Sequence, residues 1–171
     1  MSLVEIIAKS AQETKKIAAN LARNLRKQPL FRQRRISLGP TKHAFIIALI
    51  GNLGSGKTTF IQGLAAALGI KESVLSPTFL ILKQFPILFK GYTNFYHVDA
   101  YRLKSSKELL ELGFEELLSN PENIIVIEWA DKVGKILPKN VLNIKFVNLR
   151  KDKRKIVLDF PLDKGEPKGV L

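Results

Sequence analysis

The chain contains no cysteine, so neither a disulfide framework nor a thiolate metal site can form. It has one methionine and one tryptophan, and no apolar run approaches the length of a membrane span. Acidic residues are scarce, with 15 Asp and Glu against 28 Lys and Arg. We therefore expect a soluble protein of a reducing cytoplasm, with one domain over residues 1–162 and a frayed tail at residues 163–171.

The excess of positive charge is concentrated in two segments. The net charge is +13, and residues 1–43 hold ten Lys and Arg against two Glu, which gives +8 for this part. A second basic cluster lies at residues 150–155. Such clusters favour polyanions, including nucleic acids. A solvated basic surface is an equally good interpretation of the same residues.

The stretch GNLGSGKTTF at residues 51–60 fits the phosphate-binding pattern G-x-x-x-x-G-K-[ST], with Gly51, Gly56, Lys57 and Thr58 in the fixed places. Glycines let backbone N–H groups come close to phosphate oxygens, and they tolerate positive φ. Lys57 would reach the β- and γ-phosphates of ATP, and the Thr58 hydroxyl would hold Mg²⁺. The pattern thus predicts a nucleotide-binding loop.

The surroundings of this stretch support that interpretation. Residues 44–50 form an apolar run rich in β-branched side chains, which predicts a strand buried on both faces. Residues 59–68 show apolar positions at helical spacing, and Gly69 follows them. A strand, a loop and a helix therefore come in the required order. The alternative is a glycine-rich turn between a strand and a helix.

The rest of the chain predicts an α/β fold: a P-loop NTPase-like three-layer sandwich with a mixed, mainly parallel sheet and a C-terminal antiparallel strand pair. An amphipathic helix is predicted over residues 3–25, and an irregular basic segment over residues 28–43. The other predicted elements are a strand at 94–98, a helix from Ser105 or Ser106 to residue 118, a strand at 124–127, and paired strands at 141–149 and 155–160.

Polar residues at the predicted strand ends are candidates for the remainder of a nucleotide site. Glu128 ends an apolar strand and would hold Mg²⁺, while Asp99 would hold the metal or position water; solvent-facing acids are the alternative. Trp129 could stack on adenine or fill the core, and the sequence alone favours the core. Thr78 would contact the γ-phosphate or stabilise a turn. His97 is interpreted as a half-buried histidine with a satisfied partner.

Five segments occur in a characteristic order: GNLGSGKTTFIQGLAAALGI, SPTF, YHVDAYRL, ELGFEELL and IEWADKV. Together they closely resemble the TsaE family, also called YjeE, over about residues 10–160. The phosphate loop is shared by many NTPases, whereas SPTF, H-x-D-x-Y-R and IEW at these spacings are far more specific.

The resemblance implies an activity and partners. Members of the TsaE family hydrolyse ATP with Mg²⁺ and support the TsaB–TsaD pair. That pair transfers a threonylcarbamoyl group to adenosine 37 of tRNAs that read codons beginning with A. The TsaE-type ATPase is not expected to transfer the group itself.

The resemblance also carries roles onto residues of this chain. The members of the phosphate loop that match are Gly54, Ser55, Gly56, Lys57, Thr58 and Thr59. Thr58 and Glu128 match the family's Mg²⁺ positions, and Trp129 matches its nucleotide-base contact, which reverses the interpretation of Trp129 as core.

Three further residues match positions linked to hydrolysis or to the nucleotide. Thr78 matches a switch-like threonine, and Asp99 matches the acidic residue of H-x-D-x-Y-R. Arg154 lies near the position from which a basic residue approaches the nucleotide. We therefore expect Lys57, Asp99 and Thr78 to act in catalysis.

The chain departs from the family pattern at two places. Asn52 stands where the family usually has aspartate, which removes a charge near the phosphates. Residues 28–43 are longer and more basic than the family's usual short turn. We hypothesise that Arg32, Arg34 and Arg35 help to hold tRNA or the acidic partner complex, with salt-dependent binding as the test.

Two other functions fit the phosphate loop. A small-molecule kinase also begins with strand, loop and helix, but no arginine-rich lid follows the first helix here. A nucleotide-dependent binding module, in which ATP switches a partner interface with negligible hydrolysis, is the second alternative.

Overall fold

A computed structural model describes residues 2–26, 43–77, 80–89, 91–150 and 152–161. The described residues form one seven-stranded sheet with the strands β1 (Ser2–Ala8), β2 (Phe45–Ile50), β3 (Leu82–Phe89), β4 (Tyr92–Asp99), β5 (Asn123–Glu128), β6 (Leu142–Asn148) and β7 (Arg154–Phe160). The helices are α1 (Ala11–Arg26), α2 (Lys57–Ala67), α3 (Ser106–Glu111) and α4 (Phe114–Ser119). Two 3₁₀ turns, Ala130–Lys132 and Gly134–Ile136, follow β5.

The strand order is β1-β7-β6-β2-β5-β4-β3. The four central strands, β6, β2, β5 and β4, are parallel, and antiparallel strands flank them on both sides. This arrangement confirms the predicted α/β fold with a mixed sheet, a parallel centre and a C-terminal antiparallel pair, β6 and β7.

The sheet separates two apolar cores, because alternate residues of a strand point to opposite faces. In β2, Ile47 and Leu49 pack into the core that α1 and α2 cover, whereas Ile46 and Ala48 pack into the core on the α3 and α4 side. Both faces of β2 are therefore buried, as its unbroken apolar sequence predicts. The result is the expected three-layer arrangement.

The N-terminal prediction of one helix over residues 3–25 is wrong, because the first residues form strand β1. β1 pairs antiparallel with β7, and the exposure of residues 3–8 alternates with the period of a strand. The helix begins only after Ser10, whose Oγ accepts the backbone N–H of Glu13 at 3.1 Å. The Glu13 carboxylate in turn accepts the N–H of Lys9 at 2.7 Å, so a capping arrangement ends the strand and starts the helix.

The helix predicted from Ser105 or Ser106 to residue 118 is present as two shorter helices. It begins as predicted, and the Ser105 N–H donates to Glu108 Oε1 at 2.9 Å in the first turn. Gly113 then adopts φ 76°, which ends α3 and turns the chain into α4. The glycine inside the predicted helix thus follows the C-cap Leu112 of α3 and is the N-cap of α4.

Three expectations fall on other parts of the chain. Residues 28–42 of the predicted basic segment and the tail at 163–171 lie outside the described residues, as does Thr78. None of the described helices is long and apolar enough to cross a membrane.

Candidate functional site

The site lies at the edge of the sheet where the parallel strands β2, β5 and β4 end. Glu128 at the end of β5 is the register partner of Leu49 in β2 and of Asp99 in β4. The chain leaves β2 through the loop at residues 51–56 and enters α2 at Lys57. Because all three strand ends meet here, the residues that follow them surround the N-terminus of α2.

Gly56 is the turn residue that starts α2, and its backbone conformation favours glycine. Its φ is 99°, in the left-handed region. A Cβ atom at this position would lie 2.6 Å from Nη1 of Arg154, which reaches over the loop from the start of β7. The structure thus brings the guanidinium of Arg154 directly against this loop, and its approach to a nucleotide stays a prediction.

Lys57 is buried and folded back onto its own loop. Its ammonium donates to the carbonyl oxygens of Gly51 at 2.7 Å and Asn52 at 3.0 Å. The Nζ atom also lies 3.8 Å from the centroid of the Trp129 ring, a cation–π geometry. Burial lowers the pKa of Lys57 below its usual range, and the neighbouring carboxylates, chiefly Glu128, oppose that shift.

Thr58 and Glu128 form a direct pair at the start of α2. The Thr58 hydroxyl lies 2.9 Å from Oε1 and 3.0 Å from Oε2 of Glu128. Glu128 is buried, and it also contacts the ring of His97, whose Nε2 lies 2.9 Å from Oε1. The two predicted metal positions are thus adjacent.

Asp99 is held in place by both of its carboxylate oxygens. Oδ1 accepts the backbone N–H of Tyr101 at 3.0 Å, and Oδ2 accepts a short hydrogen bond from the hydroxyl of Ser76. This carboxylate is buried and contacts the segment that leads towards Thr78. Of the two candidate acids, Glu128 rather than Asp99 is the one that pairs with Thr58.

Trp129 turns back over the loop because its backbone adopts φ 58°, a left-handed conformation that is uncommon for a bulky residue. Its ring lies 5.0 Å from that of Tyr101, centroid to centroid. Trp129 is partly buried against the core on the α3 and α4 side, and it also lines two pockets, so its position fits the core interpretation and leaves the base contact as a prediction.

The first pocket has a volume of about 370 Å³, within the usual size range of ligand sites. The residues that line it are Leu53, Gly54, Ser55, Gly56, Lys57, Thr58, Thr59, Ser76, Asp99, Tyr101, Glu128, Trp129 and Arg154. The second, of about 440 Å³, includes Gly51, Asn52, Asp131, Lys145 and Asn148.

Sequence reasoning missed three side chains at this site: Ser76, Tyr101 and His97. Ser76 opens the SPTF segment and Tyr101 follows Asp99 by two residues, so both could have been found beside residues already chosen. His97 was interpreted as half-buried, but it is fully buried against Glu128. His97 lies two residues before Asp99, so both side chains point to the same face of β4. This spacing is the feature of the sequence that indicates His97 as a site residue.

The residues present fit a Mg²⁺–nucleotide complex. The described residues contain no group of three or more His, Cys, Asp and Glu side chains that could hold a metal. Mg²⁺ in nucleotide sites does not need one, because it is bound by one or two protein oxygens together with water and substrate phosphates. The oxygen pair of Thr58 and Glu128 next to a lysine and a glycine-rich helix N-terminus matches that requirement.

Comparisons with known proteins agree on one family. The family model described as "Threonylcarbamoyl adenosine biosynthesis protein TsaE" matches residues 8–156. The tRNA threonylcarbamoyladenosine biosynthesis protein TsaE of Rickettsia conorii is 35% identical over 148 residues, which cover 85% of this chain and 71% of the relative. The protein of the same name from Treponema pallidum is 35% identical over 113 residues, covering 66% of this chain and 80% of the relative.

A solved structure supports the same relationship. The crystal structure of Bacillus subtilis YdiB is similar, with a TM-score of 0.67 and 28% sequence identity over 92% of this chain and 84% of that one. The fold, the order of the motifs and the family match lead to one conclusion: this chain belongs to the TsaE family of tRNA threonylcarbamoyladenosine biosynthesis.

Proposed function

We propose that this chain is a Mg²⁺-dependent ATPase that acts with the TsaB–TsaD transferase pair in threonylcarbamoyladenosine modification at position 37 of tRNAs reading codons that begin with A. The observation that carries the proposal is the contact of Thr58 with Glu128, next to Lys57 and the glycine loop. This set of groups is what a Mg·ATP site requires of the protein. The expected compartment is the cytoplasm.

Different groups of the protein would bind the phosphates and the metal ion. The N-terminus of α2 and the loop N–H groups bind the phosphates, and Lys57 exchanges the carbonyls of Gly51 and Asn52 for phosphate oxygens. Thr58 and Glu128 would hold Mg²⁺, which when bound neutralises charge on the transferring phosphate. Arg154 adds positive charge beside Gly56.

We assign to Asp99 the role of the base that positions the attacking water. It lines the same pocket as Lys57 and Thr58, and it is anchored through Oδ1 to the backbone of Tyr101. Its other oxygen accepts from Ser76, so the carboxylate is engaged in the free chain. Because Asp99 must first release the Ser76 hydroxyl before it can act as a base, we expect slow hydrolysis by the chain alone.

A partner could complete the site from the outside. Leu53, in the phosphate loop, is 76% exposed, and Leu75, which precedes Ser76, is 66% exposed. Apolar side chains in these positions are available to a docking protein. Contact there would act next to both the loop and the hydroxyl that engages Asp99, which supports stimulation by the TsaB–TsaD pair.

Reconstituted tRNA modification tests this function. A complete set of purified components should form threonylcarbamoyladenosine over many turnovers with the wild-type chain. It should stop after about one turnover per transferase with Lys57→Ala or Glu128→Gln. Modification that proceeds equally well without the chain would refute the proposed role.

The second candidate is a nucleotide switch with negligible hydrolysis, and the engagement of Asp99 by Ser76 and Tyr101 favours it. In that case, with preformed threonylcarbamoyl-adenylate supplied as the donor so that no other step consumes ATP, a non-hydrolysable ATP analogue should support modification as well as ATP does. If the ATPase function holds, the analogue blocks repeated turnover.

A further inference from the structure

His97 is a buried titratable side chain beside the site that the ATPase proposal does not use. Its side chain has no solvent exposure. It lies beneath Glu128, with Nε2 at 2.9 Å from Oε1. The other ring nitrogen, Nδ1, has no hydrogen-bond partner among the described residues.

The strand register explains how His97 reaches Glu128. β4 and β5 are parallel, with His97 opposite Val126 and Asp99 opposite Glu128. His97 and Asp99 therefore point to the same face, one step apart along β4. Asp99 lines the pocket, whereas His97 lies one step deeper, where solvent does not reach.

Burying an imidazole with one unpaired nitrogen at this position lowers the stability of the fold. A buried polar atom without a partner costs about 1–3 kcal/mol, and an apolar side chain of similar volume would avoid that cost. Among the described residues, the one hydrogen bond of the ring is to Glu128, the carboxylate at the proposed metal position. We therefore infer that a polar side chain is present at position 97 because it binds Glu128, and not because it stabilises the core.

The proposed role of Glu128 as a metal ligand, which requires its ionised form, sets the direction of this hydrogen bond. An ionised carboxylate can only accept, so Nε2 must carry the proton and donate to Oε1. Glu128 then accepts from His97 on one side and from Thr58 on the other. Two donors on different elements, β4 and α2, restrict rotation of the carboxylate.

We propose that His97 is a positioning residue for Glu128, and that its Nε2–H holds the carboxylate in the orientation that binds Mg²⁺ beside Thr58. The inference rests on the proposed Mg·ATP site. Hydrogen-bonded partners of metal ligands of this kind typically change metal affinity by about 10- to 100-fold when they are removed. His97 does not touch the nucleotide in this account.

Two substitutions separate positioning from packing. His97→Leu fills a similar volume without a donor, and His97→Gln keeps an N–H at the end of a chain that can reach Glu128. His43→Gln is the matched control, because His43 is the other histidine of the chain and is exposed. Thermal unfolding of each variant reports whether it folds.

The main readout is Mg²⁺ affinity of the ADP complex, measured by Mg²⁺ titration at fixed ADP. With His97→Leu we expect it to fall about 10- to 100-fold, while ADP binding in excess EDTA stays at the wild-type level. His97→Gln should restore most of the loss, and His43→Gln should have no effect. Unchanged Mg²⁺ affinity in a folded His97→Leu variant, or no rescue by glutamine, would overturn the proposal.

A second readout needs neither nucleotide nor metal. In ¹⁵N NMR of the free chain, with His43→Gln used for assignment, Nε2 of His97 should carry a proton. An Nε2 without a proton would mean that His97 does not donate to Glu128, and it would overturn the proposal even if His97→Leu fails to fold. If the wild-type chain binds no Mg·nucleotide, the proposed function fails, and the protonation of Nε2 alone then decides whether His97 orients Glu128.

Discussion

The hydroxyl oxygen of Thr58 lies 2.9 Å from Oε1 and 3.0 Å from Oε2 of Glu128, although the two residues are 70 positions apart in the sequence. Thr58 comes from the first turn of the helix after β2, and Glu128 from the end of the neighbouring strand β5. Their contact joins two motifs, GNLGSGKTT and IEW, into one oxygen-donor pair. A divalent cation held between them would gain two oxygen ligands at once, with the Thr58 hydroxyl keeping its proton and giving up its hydrogen bond to Glu128.

We predict that the two acids of the site differ in their dependence on Mg²⁺. Glu128→Gln should weaken Mg²⁺-supported ATP binding by about 10-fold or more, because it removes a charged metal ligand. Asp99→Asn should leave Mg²⁺-supported binding near the wild-type level and lower turnover by about 100-fold, the scale of general-base assistance. Calorimetric titration with Mg·ATP and a steady-state ATPase assay separate the two. Equal effects of both changes on binding would contradict the assignment.

We predict that nucleotide binding weakens at alkaline pH because of Lys57. Burial lowers the pKa of this amine in the free chain, whereas a bound polyphosphate must raise it by favouring the charged form. Affinity is therefore highest below the free-chain pKa, and it falls as the pH rises from that value to the higher pKa of the complex. ADP affinity measured from pH 7 to pH 10 should show this loss. The residual affinity of Lys57→Ala should stay flat over the same range, and a parallel decline in that variant would assign the loss to another group.

We predict that Gly63→Ala destabilises the protein although alanine is the better helix former. A Cβ at Gly63 would lie 2.5 Å from the backbone oxygen of Lys15, where α1 crosses α2. Backbone atoms cannot move aside cheaply, so overpacking should cost about 1–3 kcal/mol and exceed the propensity gain of about 1 kcal/mol. The free energy of unfolding in urea measures the difference. Gly134→Ala is the control, since no atom lies within 4 Å of its Cβ position, and a loss as large in that variant would remove the clash as the cause.

We predict that Trp129 recognises the base and not the phosphates. Trp129→Ala should weaken ATP binding by about 1–3 kcal/mol, the usual contribution of base–aromatic stacking. Inorganic triphosphate, which has no base, should bind both forms alike. An equal loss for both ligands would show instead that Trp129 acts through its contact with Lys57, whose Nζ lies 3.8 Å from the ring centroid.

The sequence predicts those parts of this structure that depend on local pattern. The β2 strand, the glycine loop and α2 were found because an apolar run, turn residues and helical spacing follow one another directly. The paired strands β6 and β7 were found because their alternation is regular. Glu128 and Asp99 are candidates because a carboxylate that follows an apolar strand is costly to bury without a partner, and the structure places both in one pocket.

What the sequence did not predict depends on pairing across the fold. The first residues looked helical because their apolar positions also fit a helix, and only pairing with β7, about 150 residues later, makes them a strand. The partner of His97 could not be chosen, since the parallel register between β4 and β5 is set by the whole sheet. The left-handed backbone of Trp129, which turns its ring onto Lys57, has no signal in the residue type.

ATP hydrolysis by the purified chain, alone and with a TsaB–TsaD pair from the same organism, tests the central claim most directly. We expect slow Mg²⁺-dependent turnover by the chain alone, clear stimulation by the pair, and loss of both in Lys57→Ala. Tight Mg·ATP binding with no hydrolysis in either condition would contradict the ATPase assignment and leave the nucleotide switch as the function of this site.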